Sequence, residues 1–148
     1  MRRIPLATAV LLLAAVSLEA QGAPSSAPPP HARLDSASAL AAGRRYTEWF
    51  YNGLGDSLIA HSSAAVREKI TAQQLEDFNA QLVGQVGMEA EVLAEHIEAS
   101  DSLTGYLRVA RFEMMEEPLV VAFTLDSSAT IYGFFIRPKS AVPPEDLQ

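Results

Sequence analysis

The stretch Ile131-Tyr132-Gly133-Phe134-Phe135-Ile136-Arg137-Pro138 constrains the fold more than any other part of this chain. Its aliphatic and aromatic residues occupy both sets of an extended chain's alternation. Ile131 and Phe135 fall on one side, and Tyr132, Phe134 and Ile136 on the other. A strand that is apolar on both faces has to be covered on both. It therefore belongs inside a layered domain, with helices against one face and a second apolar surface against the other.

The opposite end of the chain reads as an export signal. Met1-Arg2-Arg3 is basic, Ile4 to Val16 is apolar, and small residues follow at Ala20, Gly22 and Ala23. A membrane-spanning helix needs about 20 apolar residues, and Pro5, Ser17 and Glu19 interrupt this run too early. The expectation is a signal peptide over residues 1–23 and a product exported to the periplasm or the medium, with no membrane contact after cleavage. Removing Arg2, Arg3 and Glu19 reduces the 11 basic and 18 acidic residues to 9 and 17, a net charge of −8. So acidic a product has no electrostatic attraction to nucleic acid or anionic lipid. The chain has no cysteine, which removes disulfides, thiolate metal sites and a thiol nucleophile. The hydrophobic core alone must hold the fold, and about a hundred residues suffice for that with a modest margin.

Residues 24–35 are rich in Pro, Ser and Ala around Pro28-Pro29-Pro30 and read as a disordered linker, with His31 as a solvated member. Asp35 or Ser36 can cap a first helix running to about Leu54, its stripe made by Ala39, Gly43, Tyr46, Phe50 and Leu54, with Gly55 as its stop. Asp56 then caps a short helix holding Leu58 and Ile59, and another short turn covers Ala64 to Lys69. Thr71 and Gln74 form a capping box, flanked by the staple pair Ile70 and Leu75. From there a helix continues through Phe78, Leu82 and Val86 to a stop at Gly87. Beyond Met88 the period changes to that of strands: Ala90 to Ala99, Leu103 to Met114, Leu119 to Leu125, and the doubly apolar segment. Short links between them favour an antiparallel meander. Residues 139–148, with Pro143-Pro144, form a flexible tail that cannot extend the sheet. The fold class is thus α+β over residues 36–138, with N-terminal helices packed on a curved four-stranded antiparallel sheet.

In this order of elements, Phe50, Gly55-Asp56, Ile70-Thr71 and Leu75 are followed by Tyr106, Val109, Phe112, Leu119, Val121, Phe123 and Asp126, and then by Ile131, Gly133, Phe134, Phe135 and Pro138. The pattern, from about Leu40 to Pro138, resembles a bacterial domain of unknown function often found ahead of α/β-hydrolase domains. That family is assigned to the nuclear-transport-factor-two-like (SnoaL-like, cystatin-like) cone fold. The resemblance implies a cone-shaped domain with a cavity between helices and sheet, and an accessory role. It brings no catalytic residues. The last hairpin, Asp126-Ser127-Ser128-Ala129-Thr130, departs from the family's pattern by lacking a glycine after the aspartate, and only ten residues follow Pro138.

Nucleophile elbows, phosphate-binding glycine loops and zinc-protease motifs are absent from the sequence. Three constellations remain. His61, His96 and Asp126, with Tyr106 and Trp49, could line a cavity and move protons, but each histidine reads more simply as a loop or exposed strand residue and Asp126 as a turn former. Glu89, Glu91, Glu95, Glu98, Glu113, Glu116 and Glu117 read as the solvated outer face of strands rather than a calcium site. Arg108, Arg111 and Arg137 read as partners of those glutamates rather than an anion clamp.

The leading expectation is a non-catalytic accessory domain that acts by association, with no metal and no cofactor. It would form a homodimer through the sheet face that helices leave open, with Tyr132, Phe134 and Ile136 on the dimer face. The alternative is a small-molecule site, binding or weakly acid–base catalytic, between helices and sheet, with Tyr46, Trp49, His96, Tyr106 and Arg108 as its lining.

Overall fold

The computed structural model describes residues 32–148, so the expected signal peptide and residues 24–31 of the expected linker lie outside the described residues. Four helices come first: α1 (Ser36–Tyr51), α2 (Gly55–Ala60), α3 (Ala64–Arg67) and α4 (Ala72–Val86). Four strands follow, β1 (Glu89–Ala99), β2 (Thr104–Phe112), β3 (Leu119–Leu125) and β4 (Ile131–Pro138), and then two 3-10 turns, Lys139–Ala141 and Pro144–Leu147. The strands form one sheet in the order β1-β2-β3-β4, every neighbouring pair antiparallel. The architecture is α+β, as its patterning predicts.

Helix starts obey local chemistry. Asp35 caps α1 by accepting from the Ser38 N–H at 2.9 Å, and the Thr71–Gln74 capping box is complete in both directions. Helix ends follow tertiary demands more closely. Helix α1 stops three residues before Leu54, because Gly53, with φ of 68°, takes the left-handed position expected of Gly55. Gly55 instead opens α2 against α4, where a Cβ would stand 2.5 Å from the Ala72 carbonyl oxygen. Asp56 consequently lies in the first turn of α2, and no side chain caps that helix.

The sheet presents two apolar faces. Toward the helices point Tyr106, Ala110, Phe112, Val121, Phe123 and Leu125, which form the main core with Tyr46, Phe50, Leu75 and Leu82. The outer face carries Leu107, Val109, Val120, Ala122 and Phe135. What covers it is the C-terminal tail: Val142 is buried there and Leu147 packs beside it. The second apolar surface demanded by the last strand is therefore supplied, at least in part, by the chain itself.

Strand β4 departs from simple alternation. Thr124 pairs with Gly133 and Leu125 with Ile131, leaving Tyr132 as an extra residue without a partner on β3. This bulge turns Ile131 to the same face as Phe134 and Ile136, inside the helix-covered core, and pushes Tyr132 out to 50% exposure. The carbonyl and N–H of Ile131 are taken up by the Ser63 N–H and the His61 carbonyl, each at 2.8 Å, which ties the α2–α3 connection to the start of β4.

The β3–β4 turn is built on Asp126, whose Oδ1 accepts from the N–H groups of Ser128 (2.8 Å) and Thr130 (2.9 Å). Ala129 closes it at φ of 61°, the one left-handed non-glycine among the described residues. That conformation costs an L-residue about 1–2 kcal/mol; glycine relieves the cost but forfeits about 0.5–1 kcal/mol through the greater entropy of the unfolded chain. Ala129→Gly is therefore expected to gain about 0.5–1 kcal/mol net, read as a rise in the urea midpoint with unchanged slope.

Candidate functional site

Two features between the helices and the sheet deserve chemical scrutiny: a polar network under α1 and an apolar pocket beneath α3.

The network is centred on Arg108 of β2. The irregular alternation of β1 has a cause in two register shifts, between Glu89 and Glu91 and between Val92 and Ala94. The two shifts cancel between Glu89 and Glu95, turning Glu91 outward while both flanking carboxylates face the helix side with Ile97, contrary to the expected solvated face. Arg108 donates from Nε to Glu89 Oε2 at 3.0 Å and from a terminal nitrogen to Glu89 Oε1, and its other terminal nitrogen lies 3.6 Å from Glu95. Glu89 also accepts from the Tyr51 hydroxyl at 2.8 Å, and Glu95 from the Tyr106 hydroxyl at 2.6 Å and Arg44 Nε at 3.0 Å. The side chains of Glu89, Glu95 and Arg108 are only 12, 14 and 17% exposed. Their charges persist because each has a partner.

The titration shifts record this pairing. The Arg44 hydrogen bond, against the pull of burial and with help from the Tyr106 hydroxyl, holds Glu95 below its ordinary value. Burial works against the charge on Arg108, but the hydrogen bonds to Glu89 and Tyr106 outweigh it and raise the guanidinium. Burial first, and then the hydrogen bond to Glu95, push the Tyr106 phenol up to about 12. These hydrogen bonds and ion pairs join Arg44 and Tyr51 of α1, Glu89 and Glu95 of β1, and Tyr106 and Arg108 of β2 into one structural tie. A polar notch of about 410 Å³ opens beside it, lined by Arg44, Thr47, Glu48, Tyr51, Asn52 and Arg108.

The expected site residues are thus spread over several places. Arg108 and Tyr106 join in the network. Tyr46 is buried elsewhere on α1, its ring tilted at 55° against Phe123 with centroids 5.8 Å apart and its hydroxyl donating to the Ala129 carbonyl at 2.6 Å. Trp49 and His61 form an edge contact at 4.9 Å beside Tyr46, and Arg45 lies over both the Tyr46 and Trp49 rings. His61 Nδ1 is engaged with the Ser57 carbonyl at 2.9 Å. His96 alternates with Glu95 and Ile97 along β1, so it lies on the outer face, away from the helices. Asp126 serves its turn. Of the arginines, Arg111 pairs with Glu91 at the surface at 3.1 Å, and Arg137 stacks over Phe135. Among the described residues no group of three or more His, Cys, Asp or Glu side chains could hold a metal ion.

The dimer-face assignment requires correction. Phe134 lies against Phe50, Phe78 and Phe123, with ring centroids 5.0, 6.2 and 4.8 Å away, and Ile136 packs in the same core. Both face the helices, because the bulge at Tyr132 resets the alternation. The apolar residue that β4 packs on the outer face is Phe135, with Arg137 over its ring.

That same bulge borders the second feature. A pocket of about 260 Å³ opens between α2, α3, the start of α4 and the start of β4. Leu58 and Phe123 contribute to it from the core, Val66 and Leu75 from the helices, Ile70 from the α3–α4 connection, and Ile131 and Phe134 from the strand. Ser62 also lines it, but its Oγ is spent on the Leu58 carbonyl at 2.7 Å. Lys69 is its single charged lining residue. Apolar walls with few polar groups are the usual composition of a small-molecule site. Of the residues expected to line a cavity, none lines this one. Its signal in the sequence was indirect: a glycine inside a strand at Gly133, which marks a bulge or a close approach, and the polar break at His61-Ser62-Ser63.

Comparison of the chain with protein-family models, with curated proteins and with solved structures gives no match. The chemistry of the two features is therefore the basis for a functional reading. Among the described residues no helix is long and apolar enough to cross a membrane.

Proposed function

We propose that this chain is an exported, non-catalytic binding domain that holds a small, largely apolar molecule in the pocket between α2–α4 and the start of β4. The observation that carries this reading is the pocket itself, a space of about 260 Å³ whose walls are mostly apolar. The leader-like Met1 to Ala23 segment supports export. The finer assignment, a SnoaL-like domain of the nuclear-transport-factor-two-like cone type, belongs to the same proposal. Its support is the run of helices ahead of an antiparallel four-stranded meander, with a cavity between the layers. The non-catalytic part is supported by the mutual engagement of Arg108, Glu89, Glu95 and the two tyrosines.

Binding to the folded state raises the melting temperature by mass action. A library of small apolar metabolites should therefore contain members that shift the melting point of the wild type and leave Ala65→Trp, which fills the pocket from α3, unshifted. Failure of every such compound, with the wild type and the variant melting alike, would dismiss the pocket as a site. Association remains the second reading, with a further copy of the chain on the outer face around Phe135 and Val109. Displacement of Val142 and Leu147 would be required, so a light-scattering mass equal to the monomer at tens of micromolar speaks against it.

A further inference from the structure

We infer that the ligand of this pocket is an anionic amphiphile of the fatty-acid type, a single hydrocarbon tail ending in one carboxylate, with its head held by Lys69. The inference rests on the pocket reading above and adds the chemistry of the ligand. The tail follows from the lining: Leu58, Val66, Leu75, Phe123, Ile131 and Phe134 offer hydrocarbon and ring faces, and no unspent buried polar group that a sugar or nucleotide would need. The head follows from the charge at the rim. Lys69 is exposed in the turn between α3 and α4, where a flexible stem lets an ammonium sit over an apolar opening while staying in water.

Lys69 also differs from five arginines of the fold that are already engaged. Arg44, Arg108 and Arg111 are committed to glutamates, Arg45 lies over Tyr46 and Trp49, and Arg137 lies over Phe135. None of the four ion pairs among the described residues includes Lys69. In a chain with a net charge of −7, a cation without a carboxylate partner, set at the mouth of an apolar pocket, is the local feature that favours a negative head group. The general field of the protein opposes anions, but it is screened within about 8 Å at physiological salt, whereas contact at the rim is not.

The test is calorimetric titration of the full chain with octanoate, octanol and octyltrimethylammonium, repeated on Lys69→Met, Lys69→Arg and Ala65→Trp. The wild type is expected to bind octanoate about five- to tenfold more tightly than octanol, and the ammonium probe more weakly than either. Lys69→Met should bring octanoate down to the level of octanol without changing octanol, Lys69→Arg should keep the preference, and Ala65→Trp should abolish binding of all three. Equal binding of octanoate and octanol by the wild type, or a preference untouched in Lys69→Met, overturns the head-group assignment and leaves the pocket standing. If no probe binds, or if Ala65→Trp binds as the wild type does, the pocket reading itself is overturned.

Discussion

Gly43→Ala is expected to destabilise this domain by about 3 kcal/mol, lowering the melting temperature by about 10–15 °C. The same substitution in an exposed helix interior normally stabilises, since alanine is favoured over glycine there by about 1 kcal/mol. At Gly43 the packing reverses the sign. The Tyr106 ring lies flat on the glycine, and a Cβ would stand 2.1 Å from its Cγ and 2.3 Å from Cδ1. The ring cannot retreat at low cost, because it is fully buried and its hydroxyl is bonded to Glu95. Either α1 lifts from the sheet or the hydroxyl abandons the carboxylate. Gly84→Ala provides the matched control, since Gly84 lies in α4 with nothing within 4 Å of an added Cβ. It should raise stability by about 1 kcal/mol. Urea denaturation of the two variants measures both signs on one scale. A neutral Gly43→Ala would show that α1 and β2 are not in the contact described.

Arg108→Met should cost about 2–3 kcal/mol, less than the 3–5 kcal/mol typical of a broken, fully buried ion pair because the carboxylates keep some contact with water. Methionine replaces the aliphatic stem but leaves Glu89 and Glu95 facing each other with no cation between them. The loss should depend on pH, and its sign follows from the titration shifts. In the wild type, Glu95 is held below its ordinary value of 4.5 by Arg44 first of all, so its contribution is complete above that value and is lost as pH falls through the depressed one. Glu98 acts in the opposite sense. Burial first, and then Asp146 of the tail, raise it, so it opposes folding near neutrality and the penalty eases as pH falls through the raised value. Without Arg108 the remaining carboxylates gain from protonation, and the gap between variant and wild type should narrow on moving from pH 7 to pH 4. A gap of constant size across that range would mean that packing of the stem, and not charge, is what the substitution removes.

How far the sequence reaches can be judged residue by residue. Thr71, Gln74, Ile70 and Leu75 act within one turn of one another, so the start of α4 needs no distant partner and was legible. The alternation of Tyr106, Ala110 and Phe112 against Leu107 and Val109 was legible for a similar reason, since the pleat has a period of two and β2 pairs without a shift to β3. Glu89 and Glu95 were misread because the face of β1 that the helices cover is set by packing against α1 and not by strand composition; the two register shifts turn Glu91 outward between them and cancel before Glu95. Tyr132 is the same case on β4, and one extra residue there moved Phe134 and Ile136 from the expected free face to the core.

What the amino-acid order determined by itself is therefore local: where helices begin, which segments are strands, that the sheet is an antiparallel meander, and that its last strand must be covered on both sides. Each follows from interactions within a few residues or from burial of a repeating apolar set. The tertiary structure alone decided what covers the outer face, which carboxylates meet Arg108, and where the pocket opens above Phe123. Those outcomes turn on a single-residue shift in strand register and on the meeting of segments far apart in the chain, and neither leaves a periodic trace in the sequence.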